Sequence, residues 1–353
     1  MLISARASIR RRLAAGAVLA AVLVGGLVPA APALAGGLGD GPAACRVVNA
    51  RTGAVTDTIR DAVLASQADD TLRVRGICTG LVKIGWNLTI VGVRPAGAPM
   101  PTMGGGGTVP ILSVGPGVTV LISGLRLRNG DGSSCVTPYC PGAAYVGTGA
   151  RLVLRDAIVK GNRSTTEGAF EVAGGTLVIA GKSRIIGNTA TDEEAYAGGI
   201  SAYNGALVVV RDRSVIRGNS GGYGGGIYLG TDSTLWLIGH AQVARNTATV
   251  EGGGVYVETG ATLLRMAGKA SIHHNSAPGP LDGGGIWVGI AGYEGVACGT
   301  NVHDNTPEDC GPCPPVPTAA LQARREALAL PEVGRLLGAT GRWATRVDPL
   351  LCD

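Results

Sequence analysis

A phrase that occurs six times between residues 162 and 305 limits the folds open to this chain. Each copy has a β-branched residue, two spacers, an asparagine and then a glycine-rich turn into a new apolar strand. The asparagines are Asn162, Asn188, Asn219, Asn246, Asn275 and Asn305, so the steps between them are 26, 31, 27, 29 and 30 residues. A period in this range indicates stacked structural units.

The content of each unit predicts strands rather than helices. Short runs of Val, Ile and Leu are broken by Gly and Asn, and no helical periodicity runs through them. We therefore predict an all-β fold, a parallel β-helix with three strands per coil. With coils about 4.8 Å apart, equivalent inward positions form aliphatic ladders and the asparagines form a ladder of amides.

The rows of equivalent residues can be read from the repeat. The second strand of each coil carries Val159, Ile185, Ile216, Val243, Ile272 and Val302. The third strand begins at Phe170, Ile200, Ile227, Val255 and Ile286. The outward row predicted for the first strand is Val153, Val178, Val208, Trp236 and Leu264. We expect a helix or loop of the chain to cover this apolar row, with a protein interface as the alternative.

Two regions resemble known β-helix proteins. A helical segment, the strand from Asp70 to Val74 and the strand from Asn87 to Gly92 follow one another as in the first coils of pectin-lyase-like proteins. The repeats over roughly residues 150 to 305 resemble those of polymorphic outer-membrane proteins. The resemblance implies a right-handed β-helix. It also implies a possible activity, because pectin-lyase-like folds are often polysaccharide lyases or hydrolases.

Composition divides the chain into four predicted parts. Residues 1–35 have a basic start, an apolar run and Ala33-Leu34-Ala35, which together predict a signal peptide. Residues 36–80 form an N-terminal cap with a short helix from Thr58 to Ala65. Residues 81–308 form the β-helix, with loops at 93–110 and 129–149. Residues 309–353 form a Cys- and Pro-rich tail with one helix that caps the far end.

These features predict an exported protein, either secreted or associated with the cell surface. Removal of the four arginines in the leader lowers the formal charge from +5 to +1. No basic run then remains to suggest nucleic acid, and no later stretch is apolar for long enough to cross a membrane.

Eight cysteines follow the leader, an even number that predicts disulfides in an exported chain. We expect Cys45 to pair with Cys78 and Cys135 with Cys140. The last four should pair among themselves, and these are Cys298, Cys310, Cys313 and Cys352. The thioredoxin-like phrase from Cys310 to Cys313 is followed by three prolines within four residues, so we interpret it as a structural disulfide region.

One outward row combines aromatic and acidic side chains. It follows the start of the third strand and contains Glu171, Ser201, Tyr228, Tyr256 and Trp287. Flanking it are Tyr196, Tyr223, Glu251 and Asp282. Exposed aromatic rings beside carboxylates suit sugar rings, which offer apolar faces and hydroxyl rims. The alternative is an aromatic ladder that only stabilises the sheet.

Candidates for catalysis and metal binding are few. Glu251 and Asp282 are the only acidic pair at equivalent positions on adjacent regular coils, and with a nearby Lys or Arg they are the sites of a possible polysaccharide lyase or hydrolase, in which Ca²⁺ could take part. His273, His303 and Asp304 form a weak candidate metal site. Solvated turn residues are the simpler interpretation.

The sequence thus predicts a secreted or cell-surface scaffold that acts by binding a polysaccharide or a cell-surface protein. It predicts no cofactor and leaves the oligomeric state open. The alternatives are a polysaccharide lyase or hydrolase of the pectin-lyase-like group and a purely structural envelope component.

Overall fold

The computed structural model describes residues 44–135, 140–261, 263–289 and 292–311, without the side chains of residues 263 and 292–294. This part of the chain contains 32 β-strands and one helix. The strands form a parallel β-solenoid of about seven turns. In the described residues, no helix has the length and apolar character that are needed to cross a membrane.

Strands that are neighbours in each sheet come from successive coils. The first sheet contains β2 (Val55–Thr56), β1 (Arg46–Asn49), β3 (Asp70–Arg75), β6 (Leu88–Gly92), β9 (Thr119–Ser123), β12 (Arg151–Arg155), β16 (Thr176–Ala180), β20 (Leu207–Val210), β24 (Thr234–Gly239), β28 (Leu263–Gly268) and β31 (Gly292–Glu294). The second contains β4 (Ile77–Thr79), β7 (Thr102–Gly104), β10 (Arg126–Arg128), β13 (Ile158–Lys160), β17 (Arg184–Ile186), β21 (Val215–Arg217), β25 (Gln242–Ala244), β29 (Ser271–His273) and β32 (Val302–His303).

The third sheet contains β5 (Val82–Ile84), β8 (Leu112–Val114), β11 (Ala144–Val146), β15 (Phe170–Ala173), β19 (Ile200–Tyr203), β23 (Ile227–Leu229), β27 (Val255–Val257) and β30 (Ile286–Val288). A fourth, short sheet contains β14 (Arg163–Ser164), β18 (Thr189–Ala190), β22 (Ser220–Tyr223) and β26 (Thr247–Glu251). All named strand pairs are parallel except those that β1 makes with β2 and β3.

The predicted capping helix is present as α1 (Ile59–Leu64). The hydroxyl of Thr58 accepts a hydrogen bond from the backbone N–H of Asp61, as an N-cap does. Ile59, Ala62 and Val63 are buried and join the core of the solenoid. The helix therefore covers apolar side chains near the first coils.

The six asparagines form the predicted ladder, and each is buried. The amide NH₂ group of Asn188 donates to Asn219 Oδ1 at 2.9 Å and to the carbonyl of Val159 at 3.3 Å. The same pattern continues along the row to Asn305, whose amide donates to Asp309 Oδ1 at 3.0 Å. The ladder thus satisfies a buried line of polar groups that would otherwise cost free energy.

The predicted rows of the second and third strands are confirmed by the register. The row predicted for the first strand is wrong at two places. Val208 pairs with Leu177 and Leu235, and Leu264 pairs with Leu235, so both face the core. The outward row has Val209 and Arg265 at those places. The strands there contain unbroken apolar runs. Without alternation of polar and apolar residues, the sequence does not show which side chains face the core.

The outer side of the first sheet is not an exposed stripe. Val178, Val209 and Trp236 are between 1 and 3 % exposed and form a second apolar cluster with Ala180. Val153, Leu207 and Ile238 pack against this cluster.

Two segments predicted as loops contain strands. β7 lies within residues 93–110 and pairs with β4 and β10, and β11 lies within residues 129–149 and pairs with β8 and β15. Both strands are three residues long and have Gly- or Pro-rich flanks, which hid their pattern. The coils therefore extend through these segments.

The described residues contain three disulfides, Cys45–Cys78, Cys135–Cys140 and Cys298–Cys310. The first two confirm the predicted pairs, and the third joins two of the last four cysteines, which were predicted to pair among themselves. Disulfides are consistent with an oxidising, extracellular-type environment. The predicted signal peptide, the tail helix, Cys313 and Cys352 lie outside the described residues.

Candidate functional site

The outer side of the third sheet carries one continuous row of polar and aromatic residues. Register places Tyr145, Glu171, Ser201, Tyr228, Tyr256 and Trp287 at equivalent positions on successive strands. Their neighbours along the strands, such as Phe170 and Val172, lie in the core. Since side chains alternate along a strand, the row points away from the core.

The rings of this row stack on one another. Tyr228 and Tyr256 have ring centroids 5.4 Å apart, and Tyr256 and Trp287 have centroids 4.6 Å apart, both pairs with planes 5° from parallel. Tyr196 packs against Tyr228 at 4.8 Å, and Tyr223 packs edge-on against Tyr256 at 5.1 Å. The structure therefore brings together all five aromatic residues that the sequence predicts as a binding site.

A sixth ring belongs to the same surface. Tyr203 lies 6.3 Å from Tyr196, centroid to centroid. It stands two residues beyond Ser201 on β19, so alternation could have placed it on this side of the sheet. We call the surface formed by the six rings the aromatic face. Its members are Tyr196, Tyr203, Tyr223, Tyr228, Tyr256 and Trp287.

The expectation that the stacked rings are all exposed is wrong for Tyr228. Its side chain is only 6 % exposed, because the ring of Tyr196 lies against it. Tyr256 and Trp287 are partly buried and keep solvent-accessible surface. The accessible part of the stack thus lies toward the last coils.

The charged groups that act on these rings are acidic. Burial raises the pKa of Tyr228, and the neighbouring carboxylate of Glu258 raises it further. Burial, with Glu251 and Glu258, raises the pKa of Tyr256 to about 12. The phenols are therefore neutral donors beside carboxylate acceptors.

The predicted pair Glu251 and Asp282 is also brought together. Burial raises the pKa of Glu251, and the charge of Asp282 raises it further. Asp282 already accepts a hydrogen bond from the backbone N–H of Gly279 at 2.5 Å. One carboxylate of the pair therefore holds a turn, while Glu251 stands next to Tyr223 and Tyr256 on the aromatic face.

A second acidic pair was missed by the sequence analysis. Glu167 and Glu171 are 0 % and 4 % exposed. Glu171 accepts a hydrogen bond from the Tyr203 hydroxyl at 2.5 Å, and Glu167 accepts one from Thr166 at 2.5 Å. Glu167 Oε1 and Glu171 Oε2 are buried without a hydrogen-bond partner. Glu167 lies in a turn, where the strand alternation gives no signal for its position.

Burial is the main influence on this second pair. It raises the pKa of Glu167 to about 7, aided by the charge of Glu171 and opposed by the hydrogen bond from Thr166. Burial also raises the pKa of Glu171. A carboxyl group whose pKa is near 7 can gain or lose a proton at physiological pH.

The histidines of the weak metal candidate stack rather than converge. The rings of His273 and His303 are 5.3 Å apart with planes 5° from parallel. His303 Nδ1 lies 2.8 Å from Asp304 Oδ2, and His273 Nδ1 lies 2.8 Å from His274 Nδ1. Among the residues that the structure describes, no group of three or more His, Cys, Asp or Glu side chains is arranged to hold a metal ion.

Comparison with protein-family models, with curated proteins and with solved structures gave no match. A β-solenoid alone does not determine a function. The function of this chain is therefore argued from its surface.

Proposed function

We propose that this protein is a secreted or cell-surface β-solenoid scaffold that binds a polysaccharide on its aromatic face. The observation that carries the proposal is the continuous stack of Tyr228, Tyr256 and Trp287, flanked by Tyr196 and Tyr223. Rings that repeat once per coil, about 4.8 Å apart, form an apolar row, and its accessible part, Tyr256 and Trp287, can meet neighbouring sugar rings of an extended chain.

Polar groups beside the stack support a carbohydrate over a plain apolar ligand. Carboxylates accept hydrogen bonds and phenols donate them, and Glu251 and Glu258 stand close enough to influence Tyr256. Sugar hydroxyls can use both kinds of partner. A cell-surface protein that presents such sugars is a partner of the same chemistry.

A glycan-binding screen of the exported chain tests the proposal, with Trp287→Ala as the main variant. Removal of the accessible ring should weaken binding about tenfold or more. Tyr256→Phe, which keeps the ring and its stacking, should retain most of the affinity. Absence of glycan binding by the unaltered protein would leave the stack as a sheet-stabilising ladder and overturn the proposal.

Polysaccharide hydrolysis is a second candidate, favoured by the buried Glu167 and Glu171 pair. A protonated carboxyl with a raised pKa can act as general acid while its neighbour acts as base or nucleophile. The pair Glu251 and Asp282, with Ca²⁺ as a possible partner, is the site for a lyase on the same fold.

Assays of reducing ends and of unsaturated products separate these forms of catalysis. Hydrolysis through the buried pair predicts new reducing ends that Glu167→Gln abolishes. A lyase predicts ultraviolet-absorbing products that Glu251→Gln with Asp282→Asn abolishes. Binding without either product favours the scaffold.

A further inference from the structure

The charge on the aromatic face has one sign. Glu251 pairs with Tyr223 in the register of the fourth sheet. Burial raises the pKa of Tyr223 and of Tyr228, Glu194 and Glu251 raise the first further, and Glu258 raises the second further. No ion pair joins any of these three carboxylates to Lys or Arg within the described ranges. By contrast, Arg51 bonds Asp70, and Arg163 bonds Asp131.

Positive charge is concentrated on another side of the solenoid. The outer side of the second sheet carries a groove of about 470 Å³ whose lining includes Arg126, Arg128, Lys160 and Arg184. Basic side chains are therefore concentrated on another sheet, and the outward row of the third sheet carries Lys83 on its first strand, several coils from Tyr256. The positive partners of the carboxylates beside the rings are therefore ions in the solvent or charged groups on a ligand.

A second observation points to a missing donor at the other end of the same row. Glu171 stands two strands before Tyr228 in the register. It is 4 % exposed, and its Oε2 atom has no hydrogen-bond partner. Tyr203 connects it to the aromatic face, since its hydroxyl donates to Glu171 and its ring lies beside Tyr196. A buried acceptor without a donor costs free energy that a bound donor would recover.

Cationic amino groups satisfy these features together. An ammonium group has three N–H donors and no acceptor. It is attracted to carboxylates and to any aromatic ring face that no other ring covers. A neutral sugar uses the rings and the hydroxyl partners but gains nothing from uncompensated negative charge.

We propose that the aromatic face selects a polysaccharide with free amino groups, a polymer of deacetylated hexosamine, over its N-acetylated counterpart. The inference rests on the proposed carbohydrate-binding function and names the class of sugar. Glu251 and Glu258 are the carboxylates that we assign to the amino groups, and Tyr256 and Trp287 are the rings that the sugars cover.

The test compares two ligands that differ only in acetylation. Oligomers of glucosamine and of N-acetylglucosamine of equal length are titrated into the full chain by calorimetry, at mildly acidic pH where the amines are charged. The glucosamine oligomer should bind about tenfold more tightly or better, and its affinity should fall with added NaCl.

Variants assign the effect to the face. Glu251→Gln with Glu258→Gln should remove most of the preference for free amines. It should lower the affinity for the glucosamine oligomer far more than that for the N-acetylated oligomer, whose hydroxyls can still bond the side-chain amides. The matched control is Asp57→Asn with Asp69→Asn, which removes two exposed carboxylates near the first coil. This control should keep the preference, and both variants should melt like the unaltered protein.

The outcomes distinguish the two levels of proposal. Equal affinity for both oligomers, or a preference that survives Glu251→Gln with Glu258→Gln, overturns the inference but leaves carbohydrate binding standing. Binding of neither oligomer, nor of any other glycan, overturns both. If an oligolysine peptide binds as well as the glucosamine oligomer, the face recognises charge alone, and the inference is also overturned.

Discussion

At the scale of single residues, Asn219 makes four hydrogen bonds through one buried side chain. Its Oδ1 accepts from the backbone N–H and the amide of Asn188, at 3.0 and 2.9 Å. Its Nδ2 donates to the carbonyl of Ile185 at 3.1 Å and to Asn246 Oδ1 at 2.9 Å. One side chain thus connects three coils, which explains why the asparagine marks the repeat.

Asn219→Ala should lower the free energy of unfolding by about 3–5 kcal/mol, because buried donors and acceptors on both neighbouring coils lose their partners. Urea denaturation measures the change. Arg217→Ala, an exposed position on the same coil, is the control and should cost less than about 0.5 kcal/mol. A cost below about 1 kcal/mol for Asn219→Ala would mean that water or a local shift replaces the ladder bonds.

Glu167 predicts a pH dependence of stability. Its folded-state pKa of about 7 lies above the ordinary value of 4.5, so the folded protein holds this proton more tightly than the unfolded chain. The stability from this group is therefore present below about pH 4.5 and is lost as the pH rises through about 7. The shift corresponds to a loss on the order of 3 kcal/mol.

Glu167→Gln, which removes the titration, should flatten the fall in stability between about pH 5 and pH 8 and stabilise the protein at the upper end. Thermal melting across this range provides the measurement. Glu193→Gln, at an exposed site, should leave the profile unchanged. An unchanged profile for Glu167→Gln would show that the carboxyl does not titrate there.

At the scale of strands and turns, the repeat explains what could be predicted. The second and third strands have alternating patterns next to a fixed asparagine, so their rows and the aromatic stack followed from the sequence. The four residues of β20 are all apolar, so no alternation shows which of them face the core, and the predicted side of Val208 is wrong. Glu167 lies in a turn whose path depends on neighbouring coils, so its pairing with Glu171 required coordinates.

In the last four coils a glycine directly precedes the third strand, before β19, β23, β27 and β30. A Cβ atom on Gly254 would lie 2.5 Å from the carbonyl oxygen of Gly285 and 2.8 Å from Asn275 Nδ2. Gly226 and Gly285 have the same kind of contacts with Asn246 and Asn305. The glycines therefore let the backbone approach the asparagine ladder.

Gly254→Ala should destabilise the protein by about 2 kcal/mol or more, since backbone on two coils must move apart. Gly85→Ala provides the control, because a Cβ atom there would meet nothing within 4 Å. Chemical denaturation of both variants gives the comparison. Equal stabilities would indicate that the coils can separate at little cost.

At the scale of the whole solenoid, each strand is hydrogen-bonded only to the coils before and after it. Stability in such a repeat is close to a sum of unit and nearest-neighbour contributions. Two of the three disulfides lie near the two ends of the described solenoid, Cys45–Cys78 and Cys298–Cys310. Constraints at the ends should therefore act locally.

Reduction and alkylation of the disulfides should increase hydrogen exchange in β1, β3 and β4 and in β29 and β32, while β16 and β20 keep their protection. The bond between Cys45 and Cys78 joins residues 33 apart, which corresponds to about 3–4 kcal/mol of loop entropy. The loss falls on terminal strands, which have a neighbouring coil on one side only, whereas the central strands are held from both sides. Cys135→Ser with Cys140→Ser, which removes a bond between residues five apart, should leave both ends protected. A uniform rise in exchange over all strands would instead mean that the solenoid unfolds as one cooperative unit.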